Sequence, residues 1–212
     1  MDGDEAAVRR CLAGEREAFA ELVEHYKRPL YTLSLRLVGD PGLAEDVVQE
    51  TFLRAYRGLG GFRLGSPLAP WLYRIATNLC HDVGRSRARP VVSAEDADLE
   101  RHPDPGDRPD EVLARREAQE RVRRAVAELP EMYRVLVVLA HQQGLSYEEI
   151  CQVTGEPLTI VRNRLFRARQ MLKQSLAPYY QEGRAPEPSR RQVQRPGLQA
   201  PSQVEGGVSS EV

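Results

Sequence analysis

The chain has 212 residues, 41% of them apolar and 29% charged, with 30 Lys and Arg against 31 Asp and Glu. Such a composition suits small, highly charged helical domains; no apolar run of about 18 residues offers a membrane span, and the acidic start MDGDEAAVRR does not read as a secretory signal. The widely spaced Cys11, Cys80 and Cys151 form no CxxC pair, which argues against a disulfide framework or structural zinc and for a reducing cytoplasm.

Residues 1–15 read as an N-terminal extension. Over 16–38, Phe19, Leu22, Val23, Tyr26, Leu30, Leu33 and Leu37 recur at steps of three and four, the period of a helix. Pro29 predicts a kink or a break within it. Gly39-Asp40-Pro41-Gly42 is a turn by composition, and a second helix runs over 43–59 to stop at Gly60-Gly61. Residues 62–70 read as a loop, and Pro70 opens a helix over 71–87. The domain 16–89 is therefore a small helical bundle.

Net charge, near zero overall, separates by segment. It is +1 over 1–89, −5 over 90–118 and +3 over 119–176. The stretch 90–109 is acidic and proline-bearing, with too little apolar surface to offset the entropy of ordering it, and so reads as a flexible linker. Helical pattern resumes at 110–128 and again at 131–143. Ser146 and Glu149 then form a capping box that opens a helix ending at Gly155. A last helix, 158–176, closes a second domain spanning 110–176. The tail 177–212 is rich in Pro, Gln, Arg, Gly and Ser and reads as disordered. The predicted fold class is all-α: two small helical domains, an acidic linker and a tail.

Three constellations carry function. The capped helix, glycine turn and longer helix make a helix-turn-helix. In the longer helix Val161, Leu165, Ala168 and Leu172 form the buried stripe, while Arg162, Arg164, Arg167, Arg169 and Lys173 bring five cations and no acid. A helix fits the major groove, where Arg pairs with guanine and Asn with adenine; Arg162, Asn163 and Arg167 are candidates for base edges, Arg169 and Lys173 for phosphates. The other reading of this helix is a solvated basic face of a bundle.

On the helix 43–59, Ala44, Val47, Val48, Thr51 and Ala55 point inward, and Asp46, Gln49, Glu50 and Leu53 share another face. By spacing alone that face is an ordinary solvated one, or a dock for a basic protein surface. In the third constellation, Trp71 and Tyr73 precede Arg74, Asn78, Asp82 and Arg85, a mixture suited to melted nucleic acid, although Trp71 at this spacing is more often core than a stacking platform. His25, His81, His102 and His141 form no ligand cluster, and no phosphate loop or nucleophile elbow is present, so no metal, cofactor or enzymatic activity is expected.

The segments AEDVVQETFLRAY (44–56), PWLYRIATNLCHD (70–82), LPEMYRVLVVL (129–139), GLSYEEI (144–150) and RLFRARQML (164–172) together resemble the extracytoplasmic-function sigma factors of bacterial transcription initiation. The resemblance implies a non-enzymatic subunit that binds core RNA polymerase and promoter DNA. Asp46, Gln49, Glu50, Phe52 and Leu53 would dock on a coiled coil of the polymerase clamp. Arg63, Ser66, Trp71, Arg74, Asn78, Asp82 and Arg85 would serve the minus-ten element, with a base flipped from the duplex. Ser146, Tyr147, Arg162, Asn163, Arg164, Phe166, Arg167, Arg169 and Lys173 would serve the minus-thirty-five element. An anti-sigma factor is the expected regulatory partner. The sequence departs from the family at Thr159-Ile160, where a Gly-Thr pair is usual, at Asn163 in place of Ser, and at Cys151 in place of Ala, read as a small buried thiol. The alternative is a stand-alone helix-turn-helix regulator.

Overall fold

A computed structural model describes residues 2–86 and 109–181, and all the regular structure among them is helical. Most of the linker and tail, 87–108 and 182–212, lies outside the described residues. The first domain comprises α1 (Asp2–Leu12), α2 (Glu17–Val38), α3 (Pro41–Gly58), a short 3-10 turn (Leu59–Gly61) and α4 (Leu68–Ser86). The second comprises α5 (Pro109–Glu128), α6 (Glu131–Val137), a π-helical turn (Val138–Gln142), α7 (Tyr147–Thr154) and α8 (Leu158–Gln181).

The apolar steps of α2 bury Leu22, Tyr26, Leu30, Leu33 and Leu37, and the helix runs through Pro29 without breaking. It ends where Gly39 takes φ 74° and its N–H bonds to the Leu35 carbonyl at 2.8 Å. A side chain is strained in that left-handed conformation, which explains the glycine. Asp40 starts α3 in the next residue: its carboxylate accepts from the Leu43 N–H at 2.9 Å, with Pro41 in the first turn. The composition turn 39–42 is thus one helix cap laid directly on another. On α3 the inward stripe is as spaced: Ala44, Val47, Val48, Thr51 and Ala55 are buried, and the Thr51 hydroxyl donates to the Val47 carbonyl at 2.7 Å.

Residues 2–12, which the sequence leaves without an element, form α1. It seats Ala7 and Val8 in the core, and the Tyr26 hydroxyl donates to Asp4 at 2.6 Å. At the other end of the chain, α8 continues past residue 176 to Gln181, with Arg121 of α5 over the Tyr179 ring at 4.8 Å. The first five residues of the expected tail therefore belong to the helix.

The two domains meet. The Tyr73 hydroxyl on α4 donates to Gln143 Oε1 at 2.9 Å, and Gln143 Nε2 donates to the Pro29 carbonyl at 3.3 Å. Tyr73 is buried, and the buried apolar residues of both domains form one continuous cluster. Beside this contact a cleft of about 590 Å³ opens between α4 and the second domain.

Candidate nucleic-acid interface

The helix-turn-helix is assembled by two caps. Ser146 Oγ accepts from the Glu149 N–H at 3.2 Å and donates to Glu149 Oε2 at 2.8 Å, and the Ser146 N–H donates to the same carboxylate oxygen at 2.8 Å. Gly155, at φ 73°, turns the chain out of α7. Val161, Leu165 and Ala168 are fully buried, and Leu172 is half-buried, so the predicted stripe is the packed face of α8.

That packing sorts the charges. Arg162, Phe166, Arg169 and Lys173 follow one another at steps of four, three and four and share one exposed flank. Phe166 is 62% exposed, an unusual position for a large ring on a helix of this kind. Arg169 donates to the Tyr147 hydroxyl at 3.1 Å, tying this flank to the start of α7. Asn163 and Arg167 are exposed beside it. Arg164 lies on the opposite flank, half-buried and ion-paired with Glu156. It faces the interdomain cleft, so of the predicted upstream residues it is the one set apart from the exposed cationic flank. Its charge is neutralised by a carboxylate in the turn, which the composition of 158–173 does not reveal. Arg162, Arg167 and Lys173 have no hydrogen-bond or ion-pair partner among the described residues. Ser146 is occupied by its cap, and Cys151 is half-buried rather than buried.

On α4, Arg74, Asn78, Asp82 and Arg85 lie at steps of four, four and three and are all exposed. Leu72, Tyr73, Ala76, Leu79 and Cys80 fill the inner side. Trp71 is half-buried, its ring tilted at 54° to that of Phe62 with centroids 5.1 Å apart. It is neither wholly core nor a free platform. Arg63 and Ser66 are exposed in the preceding loop, where Gly65 takes φ 85°. The Phe62–Trp71 ring contact joins this loop to the first turn of α4.

The face of α3 is built as the spacing predicts, with one correction. Asp46, Gln49 and Leu53 are exposed, and Glu50 is half-buried and paired with Arg54 at 2.7 Å. Phe52, by contrast, is 9% exposed and meets Phe19 edge-on at 6.3 Å. It is four residues beyond Val48 on the inward stripe, so it supports the face from beneath. Tyr56, which the reading by residues passed over, is 47% exposed and extends the row Asp46, Gln49, Leu53 by one further step of three. Its ring rests edge-on against Phe19 at 5.0 Å. The signal was present in the spacing.

No group of three His, Cys, Asp or Glu among the described residues is placed to hold a metal. No helix among them is long and apolar enough to cross a membrane.

Comparison with known proteins fits this layout. Residues 22–90 match the Sigma-70 region 2 family and residues 119–172 match Sigma-70 region 4. The RNA polymerase sigma-H factor of Pseudomonas aeruginosa is 38% identical over 193 residues, covering 86% of this chain and 98% of its own. The ECF RNA polymerase sigma-E factor of Escherichia coli is 35% identical over 182 residues, covering 82% and 95%.

The chain belongs to the ECF sigma factors.

Among solved structures, CnrH in complex with the cytosolic domain of CnrY is similar at a TM-score of 0.64 and 26% identity, covering 84% of this chain and 99% of that one. The sigma factor RpoE of Bartonella quintana, in complex with the anti-sigma factor NepR, is similar at a TM-score of 0.57 and 25% identity, covering 75% and 96%. As an ECF sigma factor, the protein directs RNA polymerase to promoters. A stand-alone helix-turn-helix regulator is not favoured, because the region 2 match spans the whole of α3 and α4.

Proposed function

We propose that this sigma factor divides its work among three surfaces. The exposed row Asp46, Gln49, Leu53 and Tyr56, flanked by Glu50, docks core polymerase. The loop at 62–67, shorter than its composition suggested because α4 already begins at Leu68, and the stripe Arg74, Asn78, Asp82 and Arg85 bind the minus-ten element as it melts. The flank Arg162, Phe166, Arg169 and Lys173, with Asn163 and Arg167 beside it, reads the minus-thirty-five element as duplex.

The chemistry differs between the two DNA surfaces. A helix carrying unpaired cations, packed behind a capped one, suits intact duplex, where phosphates set the register and base edges in the major groove carry sequence. A ring pair beside an amide and guanidinium groups suits an unpaired strand. Extruding a base costs a few kcal/mol, which stacking and edge hydrogen bonds offset. Catalysis remains with the polymerase, and the subunit acts where the polymerase does, in the cytoplasm. An anti-sigma partner is part of this reading, supported by the complex of the related RpoE with NepR.

The observation that carries the reading is the exposed, acid-poor cationic flank of α8, tied by Arg169 to the start of the capped helix α7. Run-off transcription with core polymerase on a randomised promoter library tests it. Enriched templates are expected to share two blocks of preferred sequence, upstream and near the start site. Transcripts without either block, or no stimulation of core polymerase, would remove the proposal.

A further inference from the structure

The buried stripe of α8 decides which of its side chains can reach a partner. With Val161, Leu165 and Ala168 turned inward, two rows stand clear of the domain. One is the flank that runs from Arg162 to Lys173. The other begins at Ile160 and continues through Asn163 and Arg167 at steps of three and four, all three exposed. Asn163 and Arg167 have polar base edges to meet. Ile160 has none: it is a large aliphatic side chain, 39% exposed, at the start of a helix whose residues 157–173 include no acid.

A lone aliphatic side chain on a protein surface is ordinary, but the setting of Ile160 is not. It lies in the first turn of the second helix of a helix-turn-helix, the part that comes nearest the base edges in the major groove. Its backbone is pinned there. The Ile160 N–H donates to the Pro157 carbonyl at 2.9 Å, the Val161 N–H donates to the same carbonyl at 3.1 Å, and Val161 is fully buried. A β-branched side chain in a helix keeps essentially one χ1 rotamer, so Ile160 has little freedom left to lose on binding. Its exposed neighbours Thr159, Arg162 and Asn163 are polar. A rigid apolar group among polar ones has one matching feature on the base edges of that groove, the 5-methyl group of thymine. Phe166 cannot meet the same methyl, because it lies six residues, or about 9 Å, further along the helix and on the other row.

We propose that Ile160 is a specificity residue, packing against the 5-methyl group of one thymine in the upstream promoter element. The inference rests on the function proposed above and names one base that the second domain selects. Ile160 stands where the family usually carries a threonine, so the preference it imposes belongs to this chain.

Deoxyuridine differs from thymidine only by that methyl group. In a promoter enriched from the randomised library, each thymine of the upstream block, on either strand, is replaced by deoxyuridine in turn. Binding of the holoenzyme is then measured by competition with the unmodified duplex at fixed salt. With the parent chain, one replacement is expected to weaken binding about three- to five-fold. In Ile160→Ala the two duplexes should compete equally at that position, while ratios at all other positions stay as in the parent. Alanine is a good helix former at an exposed site, and a ratio between two duplexes on one protein cancels any general loss of affinity. Phe166→Ala should leave the ratio at the Ile160 position at its parental value. An upstream block with no thymine on either strand would overturn the proposal, as would a parent chain indifferent to every replacement. So would an Ile160→Ala chain that keeps every parental ratio, the mark of a side chain packed on sugar. A library that enriches no upstream block removes the functional reading itself and this inference with it, whereas the other three results leave that reading standing.

Discussion

Arg162 and Arg164 are two residues apart on α8, yet Arg162 is free among the described residues and Arg164 is held by Glu156. A free guanidinium on an exposed helical flank can pair bidentately with a guanine edge, whereas one neutralised by a carboxylate first has to lose that partner. Arg162→Ala is therefore expected to lower discrimination at upstream base pairs by about 1–3 kcal/mol, measured by competition among duplex variants at fixed salt. Arg164→Ala should leave that preference unchanged. A uniform loss across all sequences in Arg162→Ala would identify a phosphate contact instead. His141 illustrates a different residue-scale effect. Its pKa is lowered, first by burial and then by the charge of Arg169. An unfolded chain takes up this proton near pH 6.5, while the folded one resists until lower pH. The unfolded state then binds more protons, so this group's contribution to stability is lost as pH falls below about 6.5. Thermal melts between pH 7.5 and 5.5 should show a steeper decline in the parent than in His141→Gln.

The helices themselves were largely legible because each is written in a period or a cap. Ala44, Val47, Val48, Thr51 and Ala55 step around α3 as one buried stripe, and Ser146 and Glu149 announce α7 by a pair of reciprocal bonds. Ser146→Ala should cost about 1 kcal/mol, seen as a lower melting temperature, since it leaves amides of the first turn without an acceptor. What escaped had no such signature. Helix α1 buries only Ala7 and Val8, too short a stripe to stand out in DGDEAAVRRCL. The π-helical turn at Val138–Gln142 changes the repeat for a single turn inside an apolar run, where periodicity carries little information. The helical extension to Gln181 was hidden by Pro178, which argues for a stop, whereas Arg121 over Tyr179 secures that end from another helix. At Phe52 the resemblance names a docking residue where the structure buries the ring, four residues beyond Val48, a position that the inward stripe read from spacing had not included. Exposure on α3 makes its proposed role separable from folding. Asp46→Lys with Glu50→Lys should abolish pull-down of core polymerase while moving stability little, because among the described residues the ion pair lost is Glu50–Arg54, worth about 0.3–0.5 kcal/mol.

Across the whole molecule, charge and composition set an acidic segment between two helical stretches, but the contact between those stretches is not readable from them. Tyr73 sits at a spacing that suits the interior of α4, and nothing in one sequence distinguishes a tyrosine buried by its own domain from one buried by the next. Gln143 looks like the polar end of a helix until its amide is seen between Tyr73 and the Pro29 carbonyl. The segment joining the domains has consequences that covalent geometry alone sets. The stretch of 22 residues over 87–108 can extend to at most about 75 Å, which with the radii of two small domains exceeds the roughly 85 Å between element centres. Removing residues 92–101 cuts the reach to about 40 Å, and the domain centres then separate by no more than about 70 Å. Such a deletion is expected to keep the pull-down of core polymerase, since α3 is untouched. Run-off transcription from promoters of natural spacing should nevertheless be lost, because one domain or the other falls short of its element. Persistent transcription from those same promoters would show that the two elements need not be held at once.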